Sequence, residues 1–378
     1  MVVKKQLNAK KVANRGAVCY GVPRQLRLEG CIVSDMAQID RNFAVESTLG
    51  KDDIRFYSVE EPPFRVYGVF KENGQYCRMP GKVAEQVSER VNVLYKKTAG
   101  GRVRFRTDSA YVAIKTVMHG VVRIPVLSHV GGNGFDLYAD GEFVAAYMPA
   151  IDMREGYESL IELEGKRERE ILIHFPLYAG VTELYIGLEE GACVKLAAEY
   201  EQGAPIVYYG SSITQGGCAS RPGMSYQNML ARRLNRDFLC LGFSGNAKAE
   251  DAMTDYIKGL TMSVFVLDYD HNAPSLEHLQ QTHEKMFRGV RQAQPNLPIL
   301  ILPRPRYTLS KGEQERYAVI RKTYENALAA GDRNVHFIDG PTLMALCGNE
   351  GTIDGCHPND MGFTSMAKAI GDVLEQIL

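Results

Sequence analysis

Tryptophan is absent from the 378-residue chain, and several other signals are missing with it. No two of the eight cysteines (Cys19, Cys31, Cys77, Cys193, Cys218, Cys240, Cys347 and Cys356) form a C-x-x-C pair. Zinc-ribbon and thioredoxin-like readings therefore lack support. Neither sign of charge is in excess: 44 Lys plus Arg stand against 45 Asp plus Glu, a formal net charge of −1. A nucleic-acid binder or membrane-surface protein normally carries a basic surplus, so neither partner is expected. The longest apolar runs, MSVFVL before Asp268 and PILILP ending at Pro303, fall far short of the roughly 18 residues a membrane helix needs. The first residues, MVVKKQLNAKKVANRG, are basic but have no apolar stretch behind them, so no export signal is read and a cytoplasmic location is expected. Free thiols fit that compartment, and Cys240, inside FLCLGF, reads as a small buried hydrophobe.

The phosphate loops are missing too. No lysine follows Gly216 or Gly217, as G-x-x-x-x-G-K-[ST] would require, and Ser212 stands where the second glycine of G-x-G-x-x-G should be. The hydrolase elbow G-x-S-x-G fails at its last position, where Thr214 replaces glycine. No cofactor and no metal site are expected.

What is present is an ordinary globular composition, 45% hydrophobic and 24% charged, at a length that favours two domains. From about 101 to 200 the chain reads as short strands: 102–106, 111–118, 135–138, 143–147, 160–163, 170–175, 183–188 and 193–197. Asp140-Gly141 supplies a hairpin turn between two of them. That rhythm predicts an antiparallel β-sandwich, to which residues 1–100 are assigned with a strand at 64–70 and a short helix within 81–95. After Gly203 the period changes. Strands at 206–209, 238–242, 263–267, 298–302 and 335–338 alternate with helices at 225–235, 249–259, 276–294, 312–330 and 361–378. Alternation of this kind predicts parallel pairing in a three-layer α/β domain. The expected division is 1–200 and 203–378.

Ligands of open α/β sheets bind beyond the carboxyl ends of the strands. The residues found there are Gly210-Ser211-Ser212-Ile213-Thr214-Gln215-Gly216-Gly217, Gly242-Phe243-Ser244-Gly245-Asn246, Asp268-Tyr269-Asp270-His271-Asn272 and Asp354-Gly355-Cys356-His357. Singly, each reads as a turn or a cap. Their joint occurrence on one edge, in this order, points to a site.

GSSITQGG resembles the first block of the SGNH hydrolases, the GDSL esterase superfamily, in a Gly-Ser-Ser form. Gly245, Asn272 and Asp354-x-x-His357 match the later blocks in order. The resemblance covers 203–378 and implies an αβα hydrolase domain; the preceding sandwich is similar to the jelly-roll-like accessory domain of some members. It further implies Ser212 as nucleophile, His357 as base and Asp354 as its orienting acid. The oxyanion hole would take the N–H groups of Ser212 and Gly245 and the amide of Asn272. Ser211 replaces the usual aspartate, and Asn272 lacks its usual glycine and aspartate neighbours. His271 is a further candidate for the substrate site, though it is read as a solvent-facing loop histidine. Arg304 is a candidate for an anionic substrate group, although surface ion pairs are the simpler reading for Arg304 and Arg306. Cys356 is expected to pack beneath its loop, and Tyr226 and Met229 to belong to the core. The activity implied is hydrolysis of small acyl esters, acetyl above all, on a small-molecule or glycan substrate. Acyl transfer through the same acyl-enzyme and a catalytically silent glycan-binding protein are the alternatives. For glycan stacking, 20 Tyr and 14 Phe would have to replace the missing tryptophan.

Overall fold

The computed structural model describes residues 48–201 and 203–378, all within one compact unit. Cys19, Cys31 and the basic amino-terminal run lie outside the described residues. The other six cysteines are free thiols.

The first half contains β1 (Ile54–Ser58), β2 (Arg65–Tyr67), β3 (Phe70–Glu72), β4 (Gln75–Cys77), α1 (Gly81–Val87), α2 (Val91–Leu94), β5 (Arg102–Thr107), β6 (Tyr111–His119), α3 (His129–Asn133), β7 (Phe135–Ala139), β8 (Glu142–Tyr147), β9 (Gly156–Glu162), β10 (Arg169–His174), β11 (Gly180–Glu189) and β12 (Val194–Lys195). Two antiparallel sheets, ordered β1-β11-β6-β9 and β12-β5-β10-β7-β8 with β2 added beside β5, face each other. Alternate residues of each strand, among them Val103, Phe105, Ile114, Leu137, Ile171, Ile173 and Ile186, fill the space between them. The predicted strand at 64–70 is broken in two. Gly68 has φ +73° and a Cβ there would meet the Gly100 carbonyl oxygen at 2.2 Å, so the chain turns where a strand would continue.

The second half contains β13 (Ile206–Gly210), α4 (Ser212–Gln215), α5 (Tyr226–Leu234), β14 (Phe238–Gly242), α6 (Asp251–Lys258), β15 (Val264–Asp268), α7 (Leu276–Ala293), β16 (Ile299–Ile301), α8 (Lys311–Ala329), β17 (Val335–Phe337), α9 (Gly340–Leu343) and α10 (Asp360–Ile377). Its five strands are parallel in the order β14-β13-β15-β16-β17. Successive side chains point to opposite faces. Val207, Tyr209, Phe265 and Leu267 pack under α6, α7 and α8, whereas Ile206, Tyr208, Val264 and Val266 pack under α5 and α10. Gly210 lies level with both Gly242 and Asp268, so the three central strands end together and deliver their loops to one edge.

Residues 77–95 differ from the grouping expected of them. Cys77, Met79, Ala84, Val87, Val91 and Tyr95 bury their side chains in the same cluster as Val207, Leu241 and Phe265 of the parallel sheet. Fully buried Arg78 explains how this segment is seated. Its guanidinium donates to the carbonyls of Lys97 (2.7 Å), Leu94 (2.8 Å), Cys240 (2.9 Å) and Gly242 (2.6 Å).

Candidate active site

Two bare glycines make room for the first site segment. A Cβ on Gly210 would meet the Thr214 hydroxyl at 2.1 Å, and one on Gly242 would meet the Gln215 nitrogen at 2.3 Å. With hydrogen in both places, the single turn α4 settles directly on the strand ends. Ser211 caps it by accepting from the Ile213 N–H (3.2 Å), and Gly216, at φ +95°, ends it. Ser212 thus sits at the strand edge with 9% of its surface exposed.

The fold brings His357 to it across 145 residues: Ser212 Oγ and His357 Nε2 are 2.9 Å apart. On the other side of the ring, His357 Nδ1 lies 2.8 Å from Asp354 Oδ2. Asp354 Oδ1 accepts the backbone N–H groups of His357 (2.8 Å) and Cys356 (2.9 Å). Partial burial works against the carboxylate, but these donors outweigh it and hold the Asp354 acid down to about 2. It is therefore ionised throughout the neutral range, which keeps the proton of the neutral ring on Nδ1 and leaves Nε2 free to accept from Ser212. A hydroxyl, imidazole and carboxylate in this chain can generate an alkoxide-like nucleophile.

Gly245 has φ +71°, and a Cβ built there would meet nothing within 4 Å, so the turn opens onto free space. Asn272 accepts the Ala247 N–H at its Oδ1 (3.2 Å). Only oxygen can accept, so the contact fixes the amide orientation and leaves Nδ2 as the available donor.

Two expectations change. His271 does not face solvent. It is half-buried with its Nε2 fully enclosed and without a partner, and its Nδ1 lies 3.6 Å from Cys356 Sγ beneath the acid–base loop. Burial, with help from the charges of Arg304, His357 and Arg316, pushes its pKa down to about 4. Arg304 is not free to meet a substrate anion, and its partner is no surface carboxylate. It grips buried Asp270 through Nε (2.8 Å) and Nη2 (3.0 Å) and reaches Glu313 at 3.1 Å. Arg316 holds Asp270 from another side (2.8 Å). Arg306 donates to the Gly355 carbonyl and lies 3.3 Å from Glu313. The two loops bearing Asn272 and His357 are thereby tied together. Tyr226 is buried as expected, and Met229 is half-buried against the same cluster.

The roles of several side chains escaped the sequence reading. Asp268 is buried and accepts hydroxyl protons from Thr214 (2.7 Å) and Tyr226 (3.0 Å). Tyr178 donates to the Ser212 carbonyl (3.3 Å). In Gly134-Phe135-Asp136-Leu137-Tyr138, fully buried Asp136 takes His174 (2.7 Å), Arg221 (2.9 Å) and the Gly223 N–H (2.7 Å), fastening β7 to the segment that follows α4. An aspartate inside an apolar strand run was the available signal for it, because such a group needs partners once buried.

A family model of GDSL-like lipases and acylhydrolases matches residues 203–375, and one for the GxDLY amino-terminal domain of SGNH-hydrolase-type esterases matches 54–194. No curated protein sequence matches the chain. A solved structure described as a GDSL-like lipase of Bacteroides ovatus is 28% identical, with a TM-score of 0.77 over 86% of this chain and 98% of that one. A salicylyl-acyltransferase from a tetracycline biosynthetic pathway is 20% identical, with a TM-score of 0.69 over 87% of this chain and 99% of that one. A family two carbohydrate esterase of Cellvibrio japonicus is 12% identical, with a TM-score of 0.59 over 86% and 98%. The last two likenesses concern the fold. With its parallel catalytic-type sheet and its antiparallel amino-terminal sheets, the chain belongs to the GDSL-like, SGNH-type hydrolases and is an esterase.

Proposed function

We propose that the chain cleaves small acyl esters, acetyl foremost, from a carbohydrate alcohol through an acyl-enzyme on Ser212. The observation that carries this reading is the contact series Ser212 Oγ–His357 Nε2 (2.9 Å) and His357 Nδ1–Asp354 Oδ2 (2.8 Å). His357 takes the hydroxyl proton as Ser212 Oγ attacks the ester carbonyl. Charge then develops on the carbonyl oxygen, where the Gly245 and Ser212 N–H groups and Asn272 Nδ2 donate to it. One such donor is worth about 2.7–4 kcal/mol in a serine hydrolase. The imidazolium returns its proton to the departing alkoxide, and the C–O bond to the alcohol breaks. A water, deprotonated by His357 in turn, releases the acid and restores the serine. Carbohydrate as the alcohol half is supported by the folds the chain shares with the Cellvibrio japonicus esterase and with an acetyl xylan esterase of Butyrivibrio proteoclasticus (14% identity, TM-score 0.56). The likeness to an acyltransferase supports a second outcome for the same intermediate, in which an alcohol replaces water.

Turnover of p-nitrophenyl acetate by wild type and Ser212→Ala, with circular dichroism on both, is the test. Activity and organophosphonate labelling lost only in the variant support the reading; equal rates would remove Ser212 from the chemistry. Acetylated xylo-oligosaccharide against longer-chain esters then measures the substrate preference, and an added alcohol acceptor separates transfer from hydrolysis.

A further inference from the structure

The turn that bears Gly245 is held both by the end of the β13–β14 ladder and by side chains from outside it. Phe243 N–H reaches back to the Gly210 carbonyl (2.8 Å), and Arg78 holds the carbonyls of Cys240 and Gly242 just before it. The next N–H, that of Ser244, has a side-chain acceptor: Gln215 Oε1 at 3.0 Å. The other end of the same amide donates to the Leu177 carbonyl (3.1 Å) on the loop after β10. Gln215 is 0% exposed, so neither end can exchange its partner for water. Leu177 is placed in turn by donating to the Gly131 carbonyl (3.2 Å) of α3. A strut thus runs from the antiparallel half, through one glutamine, to the turn that bears Gly245.

We propose that Gln215 is a positioning residue for the oxyanion turn, and that the antiparallel half sets its height through the Leu177 carbonyl. The inference rests on the Ser212 reading above. Anchoring Ser244 N–H restrains rotation of the residue before the Gly245 amide. The turn itself is closed by the Asn246 N–H on the Phe243 carbonyl (2.8 Å) and the Asn246 side-chain amide on the Ser244 carbonyl (2.7 Å), and Gln215 ties that closed turn to the antiparallel half. A donor displaced by about an ångström loses most of its value to a developing oxyanion while leaving ground-state binding alone.

The test compares wild type, Gln215→Met and Gln215→Glu as full chains, with thermal unfolding recorded for each. Gln215→Met keeps length and bulk but removes both contacts. Its kcat on p-nitrophenyl acetate is expected to fall about 10- to 100-fold at unchanged KM. Inhibition by a trifluoromethyl ketone, whose adduct carries the oxyanion, should weaken by the same factor. Gln215→Glu supplies the finer readout. A protonated carboxyl mimics the amide, with its carbonyl accepting from Ser244 and its hydroxyl donating to Leu177, whereas a carboxylate opposes the Leu177 carbonyl. The ratio of variant to wild-type kcat should therefore be near one at acid pH and fall as pH rises. A Gln215→Met kcat equal to wild type, a Gln215→Glu ratio already far below one at acid pH, or a rise in KM at constant kcat overturns the proposal. Failure of the underlying reading shows separately, as activity that Ser212→Ala leaves intact, and the inference then falls with it.

Discussion

At the residue scale the instructive group is Asp268, one strand away from the nucleophile and free of any ion pair among the described residues. Burial pushes its pKa up to about 7, against the hydroxyl donations of Thr214 and Tyr226 and with the charge of Asp270 adding to the rise. In the unfolded chain the same carboxyl titrates near about 3.9. Between those values the folded protein keeps a proton that the unfolded chain has released. The stabilisation is thus fully present below about pH 4 and is lost as pH rises through 7. Asn is an isostere of the protonated acid and cannot ionise. Asp268→Asn is therefore expected to gain on wild type in urea midpoint at pH 8 relative to pH 5, and an equal difference at both would count against the raised pKa. Asp268 was read only as part of a strand-end segment, and its role was illegible because its Thr214 and Tyr226 partners are 54 and 42 residues away. Asp354 and His357 were legible because three residues on one loop suffice to join them.

At the scale of elements, local period was enough for the parallel half. A strand buried on both faces and a helix with one apolar stripe each announce themselves within their own length, and all five strands and five long helices lie where the pattern placed them. The loops did not read as well, since their geometry is fixed by charges brought from other elements. The Asp270-His271-Asn272 turn is the clearest case. Asp270 is 2% exposed and is held by Arg304 from the loop after β16 and by Arg316 on α8, so a segment that reads as an exposed turn is clamped into the protein. The pair of guanidinium groups outweighs burial and keeps the Asp270 carboxyl far below the usual range. Asp270→Asn would leave Arg316 with carbonyls alone and Arg304 with Glu313 as its one carboxylate, at a cost of about 3–5 kcal/mol. A urea titration should register that loss. The kcat should fall as well, because Asn272 is only two residues along the same turn. A variant as stable as wild type would mean that Glu313 alone can neutralise both arginines.

For the whole molecule, the question is whether 203–378 could stand as a domain. The change of period after Gly203 suggests that it could, but the packing argues otherwise. Met79, Val87, Val91 and Tyr95 are buried against the parallel sheet, and such side chains contribute roughly 1.5–3 kcal/mol each. Together they amount to about 10 kcal/mol, comparable with the whole net stability of a typical domain. Arg78 adds a second tie, for its guanidinium donates to four carbonyls, two of which belong to β14, and lies over the Phe243 ring. Asp136 supplies a third by capturing Arg221 and the Gly223 N–H. The full chain is accordingly expected to unfold in a single transition when followed by far-ultraviolet dichroism and by tyrosine fluorescence. Residues 203–378 expressed alone should show no sharp transition and no esterase activity, because the core cluster on that face of the parallel sheet would lose the side chains of residues 77–95 and the oxyanion turn its anchors. A cooperative melt and wild-type kcat from the isolated piece would show that the amino-terminal half is an appendage, and would also remove the strut through Gln215.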